Sequence, residues 1–187
     1  MKVNPNIFRA YDIRGVYPQD INEGVAYKVG QAFVRFLNKK RPKIVIGRDN
    51  RLSSPVLFKS LTKGVIDSGA NVINIGLSTT PMFYFAVAHF KFAGGVITTA
   101  SHNLPKYNGF KFVREKAIPV SGESGIKEIK NLVFKGKFKK IKQGEIMKKK
   151  ILKEYIKFNL KKIDIKKIKH FRIVVDTANA VSGMLVP

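Results

Sequence analysis

An α/β fold with its sheet covered on both faces is predicted by three features of this 187-residue sequence. Short apolar runs of strand length alternate with longer segments whose apolar residues recur at helical spacing. Gly, Pro and Ser punctuate the junctions between them. The composition, 44% hydrophobic with 15 Gly, belongs to a globular rather than a disordered chain. At roughly 150 residues per domain the length allows one full domain and a remainder.

Taken in order, residues 8–14 form the first candidate strand. Between 23 and 38, Val25, Val29, Phe33, Phe36 and Leu37 fall on one face of a helix capped near Asn22. Lys43-Ile44-Val45-Ile46-Gly47 is a short apolar strand, and Ser53 and Ser54, with Pro55 in the first turn, open a helix that Gly69 closes. Residues 71–76 read as strand, 81–90 as helix, 95–99 and 110–113 as strands, and 122–134 as the last helix of a domain spanning 1–142. Residues 143–169 read as a basic linker helix, with Leu152, Tyr155, Ile156, Leu160 and Ile163 on its apolar face. Phe171-Arg172-Ile173-Val174-Val175-Asp176 then has the pattern of a buried strand, and 170–187 reads as the truncated start of a second α/β domain. Such a strand needs neighbours on both edges, so it is expected to pair with the first domain or to be completed by another polypeptide. No internal repeat is evident.

Several function classes fall away on composition. With no Cys there is neither a disulfide framework nor a thiolate zinc site, and three scattered His do not build one. The compartment implied is reducing, hence cytoplasmic. The longest stretch without Asp, Glu, Lys or Arg, 68–90, has membrane-spanning length but carries Asn71, Asn74, Ser78, Thr79, Thr80 and Pro81, so a lipid span is rejected. Residues 1–5 are followed by no apolar run of the kind a secretion signal needs. The protein is expected to be soluble and unexported.

The net charge of +24 raises a nucleic-acid reading. Between 127 and 169, 43 residues hold 17 Lys and no Arg against four acids. Arg is the bidentate reader of phosphate and guanine, and here Lys outnumbers it 28 to 8. The favoured reading is the solvated face of an amphipathic helix, with a polyanion surface or docking to an acidic partner as alternatives.

The chemistry gathers at predicted strand ends. Thr98-Thr99-Ala100-Ser101-His102-Asn103 leaves one strand and leads through Leu104-Pro105 to Tyr107-Asn108-Gly109-Phe110-Lys111. The carboxyl ends of strands are where open α/β sheets bind ligands, so a hydroxyl, an imidazole and an amine held there form a candidate site. A Ser-His pair alone is weak evidence, because turns favour such residues anyway. A triad reading needs an acid and an oxyanion hole, and neither can be located. Arg9, Arg14, Arg48 and Lys111 also stand at strand ends, where they can converge on a phosphate.

Phe8-Arg9-Ala10-Tyr11-Asp12-Ile13-Arg14-Gly15, then Gly47-Arg48-Asp49, then Thr99-Ala100-Ser101-His102-Asn103 with Tyr107-Asn108-Gly109 and Lys111, resemble in order and spacing the first domain of the α-D-phosphohexomutases. The likeness is nearest to the phosphomannomutase/phosphoglucomutase branch. Asp176-Thr177-Ala178-Asn179 resembles the start of that family's second domain. The resemblance implies a three-layer α/β/α sandwich with a mixed sheet, followed by a linker helix and the first strand of an incomplete second α/β domain. It also implies a phosphoenzyme mutase, in which Ser101 is phosphorylated and passes its phosphoryl group to a hexose 1- or 6-phosphate. The bisphosphate turns over and returns the other phosphate to the serine. Ser101 is then the phosphoryl carrier and Lys111 the general acid/base. Arg14 and Arg9 contact phosphate, while His102 and Tyr11 shape the cleft.

Mg²⁺ and a hexose 1,6-bisphosphate activator are implied as cofactors, with the phosphate oxygen on Ser101 the only metal ligand in this chain. The family's aspartate-rich metal loop is absent from the six Asp present, and the loops that recognise sugar and distal phosphate are missing too. Leu104 stands where the family usually has the first of two prolines, and Ala180 where it usually has Gly. The Tyr107-Asn108-Gly109 spelling leans towards glucose or mannose. The implied function is the amino-terminal portion of such a mutase, using a hexose phosphate and completed by a separate polypeptide. The alternatives are a catalytically inactive fragment and a basic nucleic-acid-binding module on the same fold; neither nucleic acid nor membrane is the expected partner.

Overall fold

The helix α1 (Glu23–Leu37) begins where the Asn22 side chain accepts the Val25 amide at 3.1 Å, and it ends at Asn38 in the left-handed region with φ +47. It is one of five α-helices in the structure, a computed structural model that describes residues 3–138 and 141–186. Lys139 and Lys140 of the basic segment, with Met1, Lys2 and Pro187, lie outside the described residues.

Six strands form one mixed sheet in the order β1-β5-β4-β2-β3-β6. They are β1 (Ile13–Val16), β2 (Lys43–Arg48), β3 (Asn71–Leu77), β4 (Gly94–Thr98), β5 (Tyr107–Arg114) and β6 (Ile146–Lys148). β4, β2, β3 and β6 run parallel, and β5 lies antiparallel to both β4 and β1. One face buries Ile13, Ile44, Ile46, Val96, Phe110 and Phe112 beneath α1, α2 (Ser54–Asp67) and α4 (Lys127–Lys135). The other buries Val45, Ile73, Ile97 and Val113 against α3 (Thr80–His89), with Tyr155 of α5 (Leu152–Leu160) packed alongside. The predicted three-layer sandwich with a mixed sheet is therefore the observed one.

α1 and α2 meet backbone to backbone. A Cβ at Gly64 would lie 2.1 Å from the Tyr27 carbonyl oxygen, and one at Gly30 would lie 2.4 Å from that of Leu61. Neither neighbour is a flexible side-chain tip, so both glycines are required by this crossing.

The largest differences from the sequence reading lie at the ends of the chain. β1 starts at Ile13, not at residue 8: Pro5–Ile7 is a 3₁₀ turn, and Arg9 N donates to Asp12 O at 2.9 Å across a tight turn. Over 122–126 the helix expected from 122 is a π-helical turn with Gly125 at φ +150, and α4 begins only at Lys127. β6 has no apolar alternation to announce it, since its three side chains are all exposed. The predicted linker helix narrows to α5, which lays Tyr155 and Phe158 against Phe85 of α3 at ring separations of 5.4 and 5.1 Å. Ile156, Leu160 and Ile163 from the same predicted face remain exposed, as do Lys153 and Lys157. Residues 171–176 form no strand: Phe171, Ile173 and Val174 are exposed, Val174 to 98%. Among the described residues no helix is long and apolar enough to cross a membrane.

Candidate active site

The parallel strands β2 and β4 are neighbours, so the loops leaving their carboxyl ends start side by side. Asp49, just past β2, donates its amide to Thr98 O at 3.0 Å, the last residue of β4. From there the chain runs through the loop 99–106 into β5. Thr99 and Ala100 are buried, whereas Ser101 and His102 are exposed.

Ser101 is held out by its backbone. Its φ is +53, and its amide donates to Thr99 Oγ1 at 2.9 Å. A non-glycine residue in this region is strained and persists only where its surroundings hold it. The hydroxyl lies 3.4 Å from His102 Nδ1, at the outer limit of a hydrogen bond, so the imidazole borders the hydroxyl without gripping it.

The surroundings that hold the loop come from β2. Arg51 Nη1 donates to Leu104 O at 2.8 Å and Tyr107 O at 3.1 Å, and Nη2 donates to Ser101 O at 2.8 Å and Asn103 O at 2.6 Å. Arg51 Nε lies 3.2 Å from Asp49 Oδ2 in an ion pair. Asp49 Oδ1 in turn accepts from Ser54 Oγ and from the Arg51 amide. Ser53 and Ser54, which open α2 as expected, make no side-chain cap at its start: both hydroxyls accept from Asn108 Nδ2, at 2.8 and 3.0 Å.

The cations arrive on the neighbouring strands. Thr99 N donates to Gly109 O at 2.9 Å, and Gly109 stands directly opposite Arg14 in the β1–β5 register. Lys111, two residues on from Gly109, is on the same face, so Arg14 and Lys111 are diagonal neighbours, a separation of about 7–8 Å and somewhat less at Cβ. Lys111 is half-buried beside Ile97 and joins no ion pair among the described residues. Arg14 Nη2 pairs with Asp12, and no other hydrogen bond of its guanidinium is made among the described residues.

The remaining predicted residues lie further out. Tyr11 is 74% exposed in the turn before β1, and Arg9 is exposed in the same turn. The charge of Arg9 acts on Asp20; Arg48 turns back on its own chain, with Nη1 donating to Asp49 O at 3.1 Å. Ser101, just past β4, Lys111 on β5 and Arg14 on β1 thus belong to three adjacent strands, with His102 beside the serine. A cleft of about 230 Å³ lined by Tyr17, Leu52, Ser53, Val56, Pro105 and Lys106 borders the loop.

Arg51 and Asn108 were missed as structural supports of this site. The available signal was an Arg two residues after Asp49, between a strand end and the Ser-Ser-Pro helix start. A metal finds little here: no group of three or more His, Cys, Asp or Glu is placed together among the described residues. The nearest carboxylates, Asp12 and Asp49, are already engaged by Arg14 and Arg51. The donor set does not fit a Mg²⁺ site.

The model of the phosphoglucomutase/phosphomannomutase α/β/α domain I matches residues 5–140. The chain belongs to the phosphoglucomutase/phosphomannomutase family. Within that family, a phosphomannomutase of Escherichia coli is 39% identical over 183 residues, covering 96% of this chain and 40% of the relative. One of Klebsiella pneumoniae is 43% identical over 152 residues, covering 80% of this chain and 96% of the relative. The crystal structure of a phosphoglucomutase/phosphomannomutase family protein from Burkholderia thailandensis superposes with a TM-score of 0.83 at 30% identity, over 98% of this chain and 41% of its own. This chain therefore spans about 40% of the length of the Escherichia coli relative.

Proposed function

We propose that this chain is the phosphoserine-bearing amino-terminal portion of a cytoplasmic phosphohexomutase, acting on mannose or glucose 1- and 6-phosphates through a bisphosphate intermediate. The observation that carries the reading is Ser101, exposed at φ +53 at the end of β4, with Arg14 and Lys111 on the next two strands. Phosphoryl transfer depends on positioning and on cancelling negative charge, which is what a held hydroxyl and two nearby cations supply.

In the forward half-reaction a hexose hydroxyl oxygen bonds the phosphorus on Ser101. The Ser101 Oγ–P bond breaks, and the hydroxyl proton passes to Lys111 Nζ. The return half-reaction reverses these steps, with the other phosphate of the bisphosphate going to Ser101 and Lys111 giving its proton back. Arg14 steadies the phosphoryl oxygens with its positive charge, and His102, Tyr11 and Arg9 border the substrate. Mg²⁺ would supply charge stabilisation, with its ligands and the sugar-recognition groups coming from parts of the mutase outside these residues.

The test is labelling of the whole chain with hexose 1,6-bisphosphate carrying a radioactive phosphate. Ser101 is expected to take up the label, located by peptide mass spectrometry, and Ser101→Ala to take up none. Label retained by Ser101→Ala overturns the assignment.

A second reading, polyanion binding, draws on a groove of about 680 Å³ lined by Arg35, Lys39, Lys40, Arg41, Lys137 and Lys142. RNA affinity measured across salt separates the two: a slope near −0.7 per phosphate contact supports binding, and a flat response removes it.

A further inference from the structure

We propose that Arg51 is the positioning residue of the serine loop, holding Ser101 in its strained conformation without itself binding phosphate. A guanidinium presents five N–H groups in a fixed planar fork. Here the four terminal ones each meet a different backbone carbonyl, those of Ser101, Asn103, Leu104 and Tyr107, and Nε faces the Asp49 carboxylate. Carbonyls of an exposed loop ordinarily turn to water; these converge on one side chain that is only 12% exposed.

The arrangement has two consequences. The Ser101 carbonyl is pinned at 2.8 Å, which fixes ψ of Ser101, while its amide, bonded to Thr99 Oγ1 at 2.9 Å, holds φ at +53, so the residue is gripped on both sides of its Cα. The charge of Arg51 is also answered by Asp49, itself fixed by Ser54 Oγ, and no terminal donor is left for a substrate. Arg14 is the contrast: of its guanidinium nitrogens only Nη2 has a partner among the described residues, the Asp12 carboxylate. Two arginines near one serine thus divide the work: Arg14 faces the anion and Arg51 fixes the platform. With Leu104 rather than a ring-constrained residue in the loop, the bond from Arg51 to the Leu104 carbonyl supplies order that the local backbone does not.

That this order serves transfer rests on Ser101 being the phosphoryl acceptor; the order itself does not. The experiment compares the whole wild-type chain with Arg51→Lys and Arg51→Gln by amide hydrogen exchange and by labelling from hexose 1,6-bisphosphate. In both variants the Ser101, Asn103 and Tyr107 amides should exchange about tenfold faster or more, while Val45 and Val96 in the central strands keep their protection. The maximal labelling rate should fall about 10- to 100-fold with the half-saturating bisphosphate concentration little changed, because positioning is lost and no phosphate contact is. Lys retains the charge and is expected not to rescue.

Unchanged loop exchange with the sheet intact overturns the proposal, as does a raised half-saturating concentration at an unchanged maximal rate. A wild-type chain that takes up no label sinks the mutase reading alone, and the exchange comparison still decides the staple. Should a variant also lose sheet protection, nitrogen-15 spectra of the wild type decide. Four committed N–H groups should hold Nη1 and Nη2 of Arg51 as separate resonances, and one averaged signal overturns the proposal.

Discussion

Asn108 donates through its side-chain nitrogen to Ser54 Oγ at 3.0 Å, and Ser54 Oγ donates in turn to Asp49, the partner of Arg51. A fully buried amide on β5 is therefore linked, through the first residue of α2, to the side chain that grips the serine loop. Truncating it to Ala removes the partner of two buried hydroxyls and opens a small void. Asn108→Ala should cost about 1–3 kcal/mol, read as a lower urea midpoint at unchanged slope. No shift in midpoint would show that the buried link contributes nothing.

Gly109 makes the approach of β1 possible. A Cβ there would lie 2.1 Å from Ile13 O and 3.2 Å from Arg14 Cα, both backbone atoms. Gly109→Ala must push the edge strand away and carry Arg14 with it. We expect a loss of about 1–3 kcal/mol or more in stability, together with slower labelling of Ser101. A variant as stable and as readily labelled as wild type would mean that β1 yields without consequence.

Lys111 is half-buried beside Ile97, on the strand face it shares with Arg14. Under the mutase reading Lys111→Ala should slow labelling by about 10² to 10⁴, the range for loss of a general acid/base. Lys111→Arg should not restore the rate, because guanidinium does not give up its proton near neutrality. Full activity in Lys111→Arg would leave a charge role in place of proton transfer.

The alternation of apolar strands with amphipathic helices made the layered fold legible, because burial on both faces writes itself into residues such as Ile44, Val45 and Ile46. The serine loop was legible for a different reason: Ser101 and His102 are chemically conspicuous and sit just past an apolar strand, with Lys111 on the strand that follows. Arg51 was not, because its function lies in backbone carbonyls, which carry no sequence signature. Asn108 was read with its neighbours as a hint of sugar preference, whereas its side chain points inward to Ser53 and Ser54. β6 escaped notice because an edge strand with three exposed side chains has no apolar face to show. The strand expected at 171–176 has the right residues but no neighbouring strand among those described, and pairing is a property of the ladder rather than of the segment.

Two aspartates tie stability to pH. The hydrogen bond from Lys63 Nζ, at 2.6 Å, holds the Asp67 carboxyl below the ordinary range against the opposing effect of burial, with further bonds from Tyr27 and Gln143. Asp20 is lowered first by the Val16 amide at 3.0 Å and next by Asn4 at 2.7 Å. Both groups titrate lower in the folded chain than in the unfolded one, where Asp titrates near about 3.9. Their stabilisation is therefore fully present above that value and is lost as pH falls through the lower folded pKa. Because Asp67 joins the end of α2 to Tyr27 of α1 and to Gln143 ahead of β6, its protonation loosens three segments at once. The wild-type urea midpoint should hold from pH 7 to about pH 5 as far as these groups are concerned and fall below about pH 4. The Asp20→Asn/Asp67→Asn variant should start less stable at neutral pH and fall less steeply in acid. Equal acid slopes in the two proteins would place the pH dependence in other carboxylates.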